Sequence, residues 1–230
     1  MAGYHYYSGG LLEMAHRSAD RAKRSGLDVT DETLITILLA ASAAEGFFND
    51  IVGTIQFIAK APGRTSEPRF DRLVRIGEVL AMLEQENQGS VAKYKIAAKL
   101  LECSEIDPSR EPLQSYVQLT QLRNGIAHPK PVSTESGGGC ATVVKSLAQR
   151  GLCKWIDDSK RNTMDAETWW VVMRTPAVAH WAATSANNIM LALANALVLI
   201  GDFPVGNTGF LTSFRDALRV ANVAWQLRAR

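Results

Sequence analysis

"LITILLAASAAEGFFNDIVGTIQFIAK", Leu34 to Lys60, decides the fold class. Its apolar residues recur at the three-to-four-residue period of an α-helix and not at the two-residue alternation of a half-buried strand. In the preceding "TDETL", Thr30 or Asp31 can cap the helix, and Asp31 and Glu32 sit favourably against the positive end of its dipole. "APGR" after Lys60 stops it. A helix of about thirty residues is a central element around which shorter helices pack.

The same period continues on either side. Ser8 to Arg24 gives a polar first helix, closed by Gly26 in the manner of a C-cap. Further helices are expected at Pro68–Glu86, Ser90–Cys103, Pro112–Ala127, Ala141–Gly151, Pro176–Ile200 and Gly209–Leu227. "HPKPVSTESGGGC" reads as a flexible loop, and its "SGGGC" is not a phosphate cradle, since no strand precedes it and no Lys-Ser/Thr follows. An irregular segment bearing tryptophans runs from Trp155 to Trp170. No repeat, no long linker and no sustained alternating strand interrupts the pattern. The expected architecture is all-α, an up-and-down helical bundle with a long central helix. It forms a single domain over residues 1–230, with a core of about 30–200 and a loop-rich insertion of about 129–170.

A chain of 230 residues with 47% hydrophobic content can fill a real core. The net charge of +2 decides nothing about partners, so a nucleic-acid footprint has to come from local clusters of Lys and Arg. One such cluster is "RTSEPRFDRLVR", with Arg64, Arg69, Arg72 and Arg75. The last three recur on one helix face and could meet RNA phosphates, but the interspersed Glu67, Asp71 and Glu78 make a solvated face the simpler reading. The same holds for Lys93, Lys95 and Lys99.

Cys103, Cys140 and Cys153 form no Cys-x-x-Cys pair and none lies at zinc-ligand spacing from a histidine, so neither a disulfide nor a structural zinc is expected. No cofactor and no other metal is among the expectations. "MAGYHYYSGG" has no basic region followed by an apolar run and does not read as a signal peptide, and "IMLALANALVLI", Ile189 to Ile200, falls short of the roughly 20 apolar residues that span a bilayer. A cytoplasmic protein with no membrane contact is the expectation. Among the histidines, His5 belongs to a loose terminus, His16 to the surface of the first helix, and His180, beside Trp181, to a packed helix. Trp155, Trp169, Trp170 and Trp181 read as core or interface anchors.

One stretch carries candidate chemistry. "QLRNGIAHPK", Gln121 to Lys130, ends a helix with Arg123, Asn124 and His128 inside six residues. Asn124 and His128, four apart, share a helix face and can hydrogen-bond. Arg123 and His128 would point roughly 140° apart on an undisturbed helix. Gly125 weakens the helix and Pro129 biases His128 away from α conformation, so a broken last turn that lets His128 swing toward Arg123 is expected. An imidazole beside a fixed guanidinium suits acid–base chemistry on a phosphodiester, the one moving protons and the other holding non-bridging oxygens. Ordinary capping preferences account for the same residues without any chemistry.

"LRNGIAHP" resembles the signature of the HEPN superfamily (higher eukaryotes and prokaryotes nucleotide-binding domains), in which an Arg, often followed by Asn, precedes a His by a few residues. "AASAAEGFFND" is similar to an acidic motif on an earlier long helix of that superfamily, with Glu45 in the acidic place and Ser42 and Asn49 about one turn to either side. "PAVAHWAATSANNIMLALANAL" looks like the small-residue helix that follows the motif. The resemblance covers Thr30 to Ile200 and implies a bundle of HEPN type and a metal-independent endoribonuclease. His128 would act as acid–base, Arg123 would steady the scissile phosphate, Asn124 would position either, and Glu45 would orient Arg123. The products implied are a 2′,3′-cyclic phosphate and a 5′-hydroxyl. It further implies a homodimer with a composite active site, RNA as substrate, and a toxin or phage-defence role under an antitoxin or regulatory protein. Its alternative is a non-catalytic module of the same type that binds nucleotide, RNA or a partner protein.

Overall fold

The computed structural model describes residues 7–59, 68–128, 138–154 and 167–200, with 204–205, 208–209 and 215–216 beyond them. In chain order the helices are α1 (Tyr7–Arg24), α2 (Glu32–Ala59), α3 (Pro68–Gln85), α4 (Ser90–Leu100), α5 (Leu113–Ala127), α6 (Gly138–Gln149), α7 (Glu167–Val172) and α8 (Pro176–Ile200). The architecture is all-α apart from a two-residue antiparallel ladder of β1 (Pro204–Val205) and β2 (Thr208–Gly209). Most of the expected last helix, together with His5, Arg64, Pro129 and Trp155, lies outside the described residues.

α1 and α2 form a helical hairpin. Gly26 takes the left-handed conformation, φ +65°, that a helix C-terminus asks of a residue without a Cβ. Thr30 caps α2, its Oγ1 accepting the Glu32 N–H at 3.2 Å. Glu32 in turn accepts from Arg21 Nε and Nη2 at 2.8 and 2.9 Å and from Ser18 Oγ at 2.5 Å, which clasps the end of α1 to the start of α2. Asp31, the other candidate cap, pairs with Arg174 instead.

α8 lies beside α2 in the same direction. Thr30 N–H donates to Arg174 O at 2.8 Å and Thr33 Oγ1 to Thr175 O at 2.9 Å, so the two helices start together. Alanines let them approach: Ala40, Ala43 and Ala44 of α2, Ala15, Ala19 and Ala22 of α1, and Ala179, Ala182, Ala183 and Ala186 of α8 are all buried. α2 touches α1, α3, α5 and α8 and is the central element that its length predicted. Phe47, Phe48, Ile51 and Ile55 fill its far half, each contributing about 1.5–3 kcal/mol by leaving water.

By length and composition, Glu32–Gln56 of α2 and Pro176–Leu199 of α8 could each cross a membrane. More than half of each window is buried inside the protein, and α2 carries Glu45 and Asp50.

Three expectations need correction. α4 ends at Leu100, because Glu102 takes φ +52° and the N–H of Cys103 turns back to Ala98 O at 2.8 Å. α6 starts at Gly138, so Gly138 and Gly139 of "SGGGC" open a helix instead of a loop, and Cys140 in its first turn packs against α5. The Trp-bearing segment is helical at its end, where α7 sets Trp169 and Trp170 edge to face, centroids 5.5 Å apart.

Candidate functional site

Glu45 lies midway along α2, on the partly exposed stripe that it shares with Ser42 and Asn49, between buried Ala44 and Phe47. The carboxylate is therefore not sunk in the apolar face but set at its edge. Across the groove, α5 brings up Arg123. Its Nη2 donates to Glu45 Oε2 at 2.5 Å, and its Nη1 donates to Asn124 Oδ1 at 3.0 Å. The guanidinium is thus held at both ends while its side chain stays 26% exposed, with Glu45 at 39%. Such a pair is only partly screened by water, and the remaining donors of the fork can still meet an anion.

Asn124 turns its side chain to Arg123, and its link to His128 runs through the backbone, where the His128 N–H donates to Asn124 O at 2.9 Å. α5 is unbroken through Gly125 to Ala127, and the break falls on His128, the C-cap, at φ −133° and ψ 67°. The expected broken turn between Arg123 and His128 is thereby corrected: proline acts on the residue just before it, and among the described residues after Arg123 only His128 has left the helix. His128 is exposed at the tip of α5.

No side chain fits at Gly125, because neighbours already fill the space. A Cβ at this position would run into Cys140 Sγ and come within 3.3 Å of Trp169 Cη2. Cys140 Sγ also donates to Gln121 O at 3.5 Å, and burial pushes its thiol pKa up. α6 and α7 therefore brace the back of the turn that carries Arg123 and His128.

Below the Glu45–Arg123 pair lies an aromatic floor that the sequence analysis did not single out. Tyr94 Oη donates to Ala44 O at 2.8 Å, next to Glu45, and the Tyr94 ring meets Tyr116 edge-on at 5.0 Å and Phe48 at 5.8 Å. The Tyr116 hydroxyl lies within reach of Ser90 and Thr120 and in the fields of Glu45 and Arg123, and burial pushes its pKa up to about 12. It remains a neutral phenol throughout the physiological range. The available signal was spacing: Tyr116, Thr120 and Arg123 fall at i, i+4 and i+7 on α5.

The other candidates lie elsewhere. On α3, Arg72 donates from Nη2 to Glu102 Oε1 at 3.0 Å, and with Arg75 it lines a separate open cavity of about 420 Å³ beside Leu100. The Arg69 side chain is outside the described residues. Lys93 is not on a solvated face: it is buried, paired with Glu84 and 5.9 Å from the centre of the Phe48 ring. His16 is not on the surface of α1 either. It packs toward His180 of α8, and burial, then the neighbouring His180, lowers its pKa to about 4. Trp181 is buried, its Nε1 donating to Ser115 Oγ at 3.3 Å.

Among the described residues no cluster of three or more His, Cys, Asp or Glu side chains could hold a metal ion. No protein-family model, no curated protein and no solved structure matches this chain.

What the arrangement offers chemically is an anchored guanidinium, an amide beside it and an exposed imidazole one turn further along the same helix. The first can hold an anion without reorganising, and the last can exchange a proton with a group brought to it.

Proposed function

We propose that the chain is a metal-independent endoribonuclease of HEPN type, working as a homodimer on RNA. The observation that carries the reading is the double anchoring of Arg123, by Glu45 from α2 and by Asn124 from its own helix, one turn before the exposed His128. In this reaction the ribose 2′-oxygen attacks phosphorus, the bond to the 5′-oxygen breaks, and a 2′,3′-cyclic phosphate and a 5′-hydroxyl result. His128 handles the proton leaving the 2′-hydroxyl or the one joining the 5′-oxygen. Arg123 neutralises the non-bridging oxygens as charge builds on them, an interaction strongest in the transition state. Glu45 and Asn124 keep the guanidinium in one orientation, which lowers the cost of aligning it with each substrate.

The test is cleavage of mixed single-stranded RNA by purified protein in the presence of EDTA, with ends mapped for cyclic phosphates. Arg123→Ala and His128→Ala should each lower the rate by at least about a hundredfold, the usual scale for an acid–base or charge-stabilising group. His128→Ala, on an exposed residue, should leave the melting temperature unchanged. Cleavage undiminished in either variant overturns the assignment. A wild-type protein that cuts no RNA at micromolar concentration but binds it overturns the catalytic reading in favour of a non-catalytic binding module.

A further inference from the structure

A second cavity, of about 390 Å³, opens at the N-terminal end of α5, between the start of that helix, the end of α6 and the face of α8 that carries His180 and Trp181. Its size is in the range of small-molecule sites. Two charges of opposite sign line it, Glu111 and Arg150, and they pair only loosely, at the edge of ion-pair range and without a hydrogen bond between them. Arg150 Nη2 stands 4.0 Å from Glu111 Oε1, and both side chains are about half exposed, at 42% and 55%.

The carboxylate is fixed independently. Glu111 accepts from Ser115 Oγ at 2.6 Å and from the Ser115 N–H at 3.3 Å, so its position is set by the first turn of α5. Ser115 Oγ in turn accepts from the indole N–H of Trp181, which ties the wall of the cavity to its buried floor. Arg150 comes from the other side, on the turn that ends α6. The inner wall adds no charge at neutral pH: burial, then Lys23, holds the His180 pKa below its ordinary value, so the imidazole is neutral there.

A rigid carboxylate and a guanidinium, set a short gap apart over an uncharged floor, select by charge. A simple anion attracted to Arg150 meets Glu111, and a simple cation attracted to Glu111 meets Arg150. Only a net-neutral ligand that carries both charged groups close together, as on a single carbon, satisfies the two at once. We propose that this cavity binds a free α-amino acid, its carboxylate on the Arg150 fork and its ammonium on Glu111. Planar carboxylate recognition is what a guanidinium does best, and the ammonium finds a preset acceptor.

The experiment is titration calorimetry and thermal shift on the full chain with each of the twenty common amino acids at up to about 10 mM, well above the weak affinities typical of such small ligands. At least one should bind saturably and raise the melting temperature. Its N-acetyl and its amide derivatives, each lacking one charge, should bind at least about tenfold more weakly. Arg150→Met should remove binding while the unliganded protein melts as before, and Glu111→Gln, whose amide oxygen can still accept from Ser115, should weaken it likewise. No saturable binding by any of the twenty overturns the proposal. So does equal binding of the acetylated or amidated forms, or binding unchanged in Arg150→Met.

Discussion

Gly125 shows how much a single residue can decide here. In a bare helix, Ala would be better than Gly by about 1 kcal/mol. In this helix a Cβ meets Cys140 Sγ, and forcing it in costs about 1–3 kcal/mol of overpacking. Gly125→Ala should therefore destabilise the protein or leave it near neutral, whereas the same change in a Cys140→Ala background should stabilise it. Urea melts of the four proteins give the coupling directly, and simple additivity would show that Cys140 is not what excludes the side chain. Glu45→Gln tests the other residue-scale contact. It keeps the shape of the side chain but removes the charge opposite Arg123, so RNA cleavage should fall by about tenfold or more with only a small change in melting temperature. Arg123 and Glu45 could be paired from sequence, because a carboxylate on a largely apolar helix asks for a cation. Tyr116 could not be ranked above the other buried aromatics, since what distinguishes it is proximity to a residue of another helix.

At the scale of elements, the contact between α1 and α8 sets a pH dependence. His16 of α1 faces His180 of α8, with Lys23 and Asp20 of α1 also acting on His180. Both histidines have folded pKa values below the unfolded one, so the folded state binds fewer protons than the unfolded chain once pH drops below about 6.5. The stability is fully present above that value and is lost as pH falls toward about 4. Melting temperature followed from pH 7.5 to 4 should fall, and His16→Leu should flatten part of that fall; parallel curves would rule His16 out as its source. The α3–α4 junction makes a different prediction. Lys93 is buried while its partner Glu84 is half exposed, so removing one partner should cost less than the roughly 3–5 kcal/mol of a fully buried pair. Glu84→Gln leaves a buried ammonium uncompensated and should be the more damaging change. Lys93→Met removes the charge and keeps the packing over Phe48, so it should be close to neutral by urea unfolding.

For the whole molecule, the packing order around α2 makes the helices interdependent. Phe47 is fully buried at the centre, and Phe47→Ala should cost about 3–5 kcal/mol in one cooperative transition, read by urea melts with fluorescence and circular dichroism together. If the proposed homodimer is correct, light scattering should give twice the chain mass of 25.1 kDa. A mass of one chain would remove the composite site from the proposal.

The helical period of Leu34 to Lys60 and the stop at Gly26 are local matters, and the sequence by itself determined them because dihedral preference and apolar spacing act within a few residues; of the two caps it offered, the structure chose Thr30. The same holds for the departure of His128 from the helix, imposed by the proline that follows. Only the tertiary structure decided that Gly125 has no room for a side chain, that Lys93 is buried and His16 partly so, and that Tyr94 and Tyr116 floor the Glu45–Arg123 pair. Each of these depends on a neighbour distant in sequence, Cys140 and Trp169, Glu84 and Phe48, His180, or Ala44, and no period along one helix carries the identity of what another helix will bring against it.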